Sequence, residues 1–337
     1  MTKILTITVP SYNAENYLKE DLPSFMADSI LKDLEILIVD DGSRDGTKET
    51  GLEFQKKYPD TVRVISKENG GHGSAVNTGI REARGKYFKV VDADDWVDPS
   101  SLVRLVEYLR SSDSDLVLSP FYYVDDRSRE KTPGMILEEG AAAKIRDGEN
   151  YFMEDMLIYL KDTIQMHGIT ILTSILKENS ICLDENHFYV DQEYVLYPIP
   201  YIRTVSFCTE YVYYYRTATD GQSMNWNNMI KNRSMHGEVL QSMIKFYNCL
   251  ESALSEKQKE FFLYRCAKML NTQATIYLVM DDWKAAKKEI KQFEKEIRNL
   301  CPQVYFYPYS AKVTLLRNLH YLGYRWISIY TRKVNGR

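Results

Sequence analysis

Cysteine is scarce and unpaired in this chain. Five of its 337 residues are cysteines (Cys182, Cys208, Cys249, Cys266 and Cys301), widely spaced and without a C-x-x-C pair. That pattern argues against a disulfide framework or a zinc ribbon and predicts reduced thiols in a cytoplasmic setting. No run of about 18 apolar residues occurs, so no transmembrane helix is expected. A strand pattern begins at residue 4, which leaves no room before it for a signal peptide. Proline and glycine number only 10 and 16, against 26 tyrosines that gather in the second half. The remaining composition, 44% apolar and 27% charged, suits a globular chain with a well-developed core.

Acidic residues are absent after Glu296, while Arg298, Lys312, Arg317, Arg325, Arg332, Lys333 and Arg337 follow it. With a net charge of −4 for the whole chain, the first 296 residues carry −11. The asymmetry predicts that the tail meets something anionic. Val313, Leu315, Leu316, Leu319, Leu322, Trp326 and Ile329 recur there at roughly helical spacing, with eight aromatics between Tyr305 and Tyr330. A basic amphipathic helix over residues 312–333, lying on an anionic membrane at the inner face of the cell, is one expectation. A helix docked on the body, or a contact in a homo-oligomer, is the other. Nucleic acid is not expected as a partner, because the rest of the surface is acidic.

Between residues 3 and 120, strand patterns near 4–9, 34–39, 61–66, 86–91 and 115–119 alternate with helical ones. Alternation of this kind predicts an α/β fold with a mainly parallel, Rossmann-like sheet. The fourth strand runs into Asp92-Ala93-Asp94-Asp95, and the second into Asp40-Asp41-Gly42. Clustered carboxylates repel one another unless a cation holds them, which points to a hard divalent ion; the alternative is a solvated acidic turn before a helix, with Asp98 or Ser100 as its N-cap. The first strand ends at Pro10-Ser11-Tyr12-Asn13. Ligands of open α/β sheets sit beyond the carboxyl ends of strands, so these three ends predict one shared crevice. Gly71-His72-Gly73-Ser74-Ala75-Val76 fails as a dinucleotide fingerprint, because Val76 stands where Gly or Ala is needed. No P-loop occurs, and Pro10-Ser11-Tyr12-Asn13 is not the glycine-rich basic loop of a nucleotidyltransferase.

Val9 to Glu15, Val39 to Thr47, Asn69 to Gly79 and Asp92 to Asp95 together resemble the motifs of family 2 glycosyltransferases, in order and in spacing. The resemblance is specific over residues 3–125 and looser to about 225. It implies a type A glycosyltransferase fold over residues 1–225, with a nucleotide-sugar half (1–120) and an acceptor half (121–225). A helical C-terminal subdomain with the basic aromatic tail follows over 226–337.

It also implies inverting, metal-dependent transfer from a UDP-sugar to a glycan or lipid-linked glycan, by a hexosyl- or N-acetylhexosaminyltransferase. Surface polysaccharide or teichoic-acid-like polymer is the expected product. The processive Gln-x-x-Arg-Trp motif is missing, so addition of one or few sugars is expected. By resemblance Asp94 holds Mn or Mg, and Asp92 with Ala93 meets the ribose or a metal-bound water. Pro10, Tyr12, Asn13, Glu15 and Asp41 receive the nucleotide; Asn69 and Gly70 permit close approach to ribose or phosphate in a segment that covers the donor, with Asn77 on a helix beneath it. Arg216 and Ser223 reach the diphosphate. Tyr213, Tyr214 and Tyr215 read as an edge strand packing on the helical subdomain. The family's base, usually the Asp of Glu-Asp, maps to Asp191, with Val190 in place of the Glu and Glu193 in reserve. The departure at Val190 keeps open a nucleotide-sugar-binding module without transferase activity.

Overall fold

The computed structural model describes residues 3–135, 145–146, 148–218 and 225–336. The chain divides into two compact units, Met1–Asp220 and Gly221–Arg337.

The first unit is built on an eight-stranded sheet. Its strands include β1 (Leu5–Ser11), β2 (Leu34–Asp40), β3 (Val62–Ser66), β4 (Tyr87–Val90) and β6 (Leu116–Leu118). The two-residue β5 (Trp96–Val97) belongs elsewhere. β1 and β2 are buried at every position, as expected of strands covered on both faces. With β9 (Tyr151–Phe152), β10 (Ile169–Leu172) and β11 (Thr204–Phe207), the order is β3-β2-β1-β4-β10-β6-β11-β9. β3, β2, β1 and β4 are parallel, and β10 runs antiparallel between β4 and β6. β11 is parallel to β6, and β9 closes the edge antiparallel. The sheet is therefore mainly parallel, with β10 inserted where the sequence suggested no strand.

Helices α1 (Glu15–Asp21), α2 (Thr47–Lys57), α3 (Gly71–Glu82) and α4 (Pro99–Ser111) connect the first strands. α5 (Met153–Leu160), α6 (Thr173–Glu178) and α7 (Asp191–Leu196) follow. Strand register sets the site. Ser11 is level with Asp40 and Asp40 with Ser66, while Thr8 is level with Val90. The acidic run after β4 thus emerges beside the carboxyl end of β1. A second sheet, β5-β12-β7-β8, contains β7 (Phe121–Asp125), β8 (Lys131–Gly134) and β12 (Tyr213–Thr217). β12 is an inner strand there, parallel to β7 and antiparallel to β5, so the expected edge strand is corrected.

The second unit is helical: α8 (Trp226–Lys231), α9 (Arg233–Leu250), α10 (Glu256–Val279), α11 (Trp283–Leu300), α12 (Pro302–Phe306), α13 (Ala311–Asn318) and α14 (Tyr324–Val334). Ser255 and Gln258 form a reciprocal capping box that starts α10, and the Asp282 carboxylate caps α11. Gly237 in α9 lets the Phe293 ring lie against the backbone; a Cβ there would stand 2.8 Å from that ring. The single tail helix expected over 312–333 is two helices. His320 and Tyr321 both take left-handed conformations (φ 48° and 62°), which breaks α13 from α14. No helix among the described residues is long and apolar enough to cross a membrane.

Candidate active site

Beyond β4 the backbone turns, with the Asp95 N–H donating to the Asp92 carbonyl at 3.1 Å; Asp92 and Asp94 are part-exposed, while Ala93 and Asp95 are buried. Each carboxylate meets a different environment. An Asp92 oxygen lies 2.8 Å from Nε2 of His72, in the first turn of α3. Burial pushes the Asp92 carboxyl up, but the adjacent imidazole offsets this and leaves it below the usual range. Asp95 accepts from the Tyr213 hydroxyl and, at 2.7 Å, from the Arg216 backbone N–H. Burial, then the charges of Asp94 and Asp92, hold it well above the usual range. Among the described residues no cation stands within ion-pair distance of the Asp94 carboxylate, which burial and the Asp92 charge push up.

Two ligand sets could serve a metal. Atoms of Asp92, Asp95 and His167 lie within 4.8 Å of one another. His167 offers a buried Nδ1 without a hydrogen-bond partner, but both Asp95 oxygens are already engaged. Asp92 and Asp94 fit a hard cation better, since Asp92 keeps its second oxygen and the charges of Arg216 and His72 only partly offset what raises the Asp94 carboxyl.

On the nucleotide side, Asp41 is buried and organises the glycine turn. Its carboxylate takes the Lys67 ammonium at 2.7 Å, the Gly70 N–H at 3.0 Å and the Gly71 N–H at 2.7 Å. Asn69 donates to the Asp41 carbonyl. Asn13, left-handed at φ 51°, accepts from the Arg44 N–H, and its own N–H donates to the Ser43 hydroxyl. Glu15 accepts from the Gly46 N–H and from Lys19. Asn13 and Glu15 thus spend their side chains on the loop after β2. Pro10 is buried at the end of β1, and Tyr12 beside it is exposed.

The glycines of α3 permit a close approach, but to the chain's own backbone. A Cβ on Gly73 would stand 2.2 Å from the Asp184 carbonyl oxygen, and one on Gly71 would stand 3.2 Å from Asn186. The Gly70 carbonyl accepts the Asn186 N–H at 2.6 Å. Asn77 grips Leu183 twice, donating to its carbonyl and accepting its N–H. These stitches hold the segment that leads to Asp191, the first residue of α7. Asp191 is part-exposed and accepts from the Gln192 side chain at 2.8 Å. Its charge reaches His72 and Tyr215, which also feel Asp92 and Asp94. Val190 is buried, which accounts for an apolar residue where the resemblance has Glu. Glu193 is fully buried, accepting from the Asp184 N–H and the Tyr197 hydroxyl, and so is withdrawn from the reserve role.

Arg216, expected at the diphosphate, turns inward. Its buried guanidinium donates to the Asp94 carbonyl, to Asp126 at 2.8 Å and to Asp21 at 3.0 Å, and lies over the Trp96 ring. Ser223 lies outside the described residues. His72 and Tyr213 are the site residues the sequence did not single out. Tyr213 accepts the Asp92 N–H and donates to Asp95, so it props the acidic run rather than packing as an edge tyrosine. Lys89, fully buried in β4, donates to the carbonyls of His167 and Ile169; burial lowers its ammonium to about 7.

Residues 6–176, half of the chain, match the family described as Glycosyl transferase family 2. The uncharacterized glycosyltransferase EpsJ of Bacillus subtilis is 37% identical over 133 residues, 40% of this chain and 38% of that protein. The poly(ribitol-phosphate) beta-glucosyltransferase of Bacillus spizizenii is 28% identical over 225 residues, 66% of this chain and 33% of its own length. The chain thus spans well under half of either relative. Among solved structures, TarS 1-349 of S. aureus in complex with UDP-GlcNAc superposes with a TM-score of 0.67 at 19% identity, covering 98% of this chain and 89% of that one. On the strength of that family match over half of its length, this chain belongs to glycosyl transferase family 2.

Proposed function

We propose that this chain is an inverting glycosyltransferase. It moves a hexosyl or N-acetylhexosaminyl group from a UDP-sugar to a hydroxyl of a glycan or lipid-linked glycan, in the cytoplasm, for a surface polysaccharide or teichoic-acid-like polymer. The observation that carries this reading is the acidic run Asp92–Asp95, which emerges beside the carboxyl end of β1 with Asp92 held 2.8 Å from His72. The UDP-GlcNAc bound by TarS and the polyol-phosphate substrate in the name of the Bacillus spizizenii relative support the donor and acceptor classes.

In this mechanism Pro10 and Tyr12 pack against the base, and Asp41, Asn69 and Gly70 shape the edge that receives it. Asn13 and Glu15 brace the loop beside it, while Asn77 anchors the floor. Asp92, with Ala93 setting its direction, meets the ribose. Asp94 and Asp92 would hold Mn²⁺ or Mg²⁺, which supplies positive charge against the leaving diphosphate. Asp191 takes the acceptor hydroxyl proton onto a carboxylate oxygen. The freed oxygen attacks the anomeric carbon from the face opposite the departing diphosphate, which inverts the linkage. A positioned base of this kind contributes about 10²–10⁴ in rate.

A second reading, a nucleotide-sugar-binding module, is favoured by Val190 alone. Transfer and hydrolysis of UDP-GlcNAc and UDP-glucose with manganese, in the parent and in Asp191→Asn, decide between the two. Loss of turnover with retained UDP binding is expected in the variant. Undiminished turnover would remove Asp191 as the base, and UDP binding without turnover in the parent would favour the module.

A further inference from the structure

Helix α14 is packed the wrong way round for a helix that ends in water. Its inward face carries Tyr324, Ser328 and Thr331, all buried. The Ser328 hydroxyl donates to the Leu278 carbonyl at 2.7 Å, and the Tyr324 hydroxyl donates to the Tyr277 carbonyl at 2.8 Å. Its outward face is apolar and uncovered: Leu322 just before it is 82% exposed, Trp326 76%, Tyr330 65% and Val334 65%, with Ile329 also exposed. Trp326 and Tyr330 are four residues apart in the helix and so share one side, and Leu322 stands exposed in the turn that leads into it. Leu319 extends this surface toward α13, with a methyl 3.8 Å from where a Gly323 Cβ would stand. A row of large side chains this open marks an interaction surface.

The charges say what covers it. Arg317 is withdrawn into a pair with the buried Glu294 at 2.8 Å, and Arg332 lies 3.6 Å from Asp281. Arg325 and Lys333 remain exposed beside the apolar row. No acidic residue follows Glu296 in the chain. A two-fold contact with a second copy would bring these cations toward their own equivalents, whereas an anionic surface with an apolar layer beneath satisfies both features. Trp and Tyr favour that boundary, with rings in the headgroup region and cations at the phosphates.

We propose that the outward face of α14, formed by Leu322, Trp326, Ile329 and Tyr330 and flanked by Arg325 and Lys333, docks the protein on an anionic phospholipid bilayer. The inference does not rest on the transfer reading, because its readout is binding and not turnover.

The test is co-sedimentation of the full chain with phosphatidylcholine vesicles and with vesicles containing about one-third phosphatidylglycerol. Expected is pelleting with the anionic vesicles that weakens with salt, and little with phosphatidylcholine alone. Leu322→Ser with Trp326→Ser, both on open surface, is expected to weaken vesicle binding about tenfold or more. The melting temperature should not move. Arg325→Glu with Lys333→Glu is expected to remove the preference for phosphatidylglycerol. Failure of the parent to pellet with anionic vesicles would overturn the proposal, as would equal pelleting of parent and variants. A concentration-dependent dimer that the Leu322 and Trp326 changes abolish, without vesicle binding, would assign the face to a second copy instead.

Discussion

The His72 imidazole and the Asp92 carboxylate stand 2.8 Å apart, joining the first turn of α3 to the end of β4. The pair fixes which Asp92 oxygen points into the crevice. His72→Ala is expected to lower turnover with a UDP-sugar about 10- to 100-fold, the usual cost of losing a partner that orients a ligand carboxylate. Manganese affinity measured by calorimetry should fall with it. Unchanged turnover and affinity would make the pair incidental.

Gly73 has no room for a side chain against the Asp184 carbonyl. Gly73→Ala is expected to destabilise the fold by about 1–3 kcal/mol through overpacking. Turnover should fall as well, because the segment that moves leads to Asp191. Thermal unfolding and a donor assay check the two effects separately, and a variant matching the parent in both would show that the loop yields freely.

Arg216 distinguishes a buried hub from a phosphate ligand. Removing its guanidinium leaves the buried Asp21 without its partner and Asp126 with Arg129 alone, 3.3 Å away; even beside Arg216, burial pushes the Asp21 carboxyl up to about 7. Arg216→Ala is expected to cost about 3–5 kcal/mol in the ligand-free protein, as for a broken buried pair. Arg216→Lys should recover little, because a single ammonium cannot replace the planar fork. A ligand-free melting temperature equal to the parent's would return Arg216 to the diphosphate.

Glu193 gives the pH dependence. Burial, above all, pushes its carboxyl from 4.5 up to about 7. The unfolded chain then gives up this proton more readily than the folded one. Stability from this group is present below the unfolded value and is lost as pH rises through about 7. The loss is on the order of 3 kcal/mol at full ionisation. Glu193→Gln can still receive the Asp184 N–H and meet Tyr197, so its melting temperature should fall less between pH 5 and pH 8. Parallel curves for parent and variant would refute the assignment.

The strand ends that carry the expected donor-side residues were legible in sequence because their signals are local. Strand endings at Ser11, Asp40 and Val90 carry their polar residues within a few positions, whereas the turn at Ala93 and Asp94 replaces the strand geometry that the spacing of Asp92 and Asp94 suggests. What escaped was non-local. Arg216 finds Asp21 across 195 positions, and nothing near either residue announces the direction of the side chain. β10 is four residues long and owes its place to antiparallel pairing with two distant strands. The glycines of α3 lie against the chain's own Asp184 and Asn186, and composition cannot say whether a glycine's neighbour is a phosphate or the backbone. In the tail, helical spacing ran through His320 and Tyr321, whose left-handed turn the apolar pattern does not register.

The grip of Asn77 on Leu183 has a consequence for anyone recombining such enzymes. It joins residues 106 positions apart through one side chain and a backbone amide, independently of whichever sugar is handled. Helix α3 and the Asp191 loop are therefore inherited as one part. A chimera that imports residues 183–196 from a relative without the matching 70–82 would strand an amide and jostle two backbones. One that exchanges only the segment between β7 and β10 would leave the Asn77–Leu183 tie whole, and with it the placement of Asp191 beyond α3.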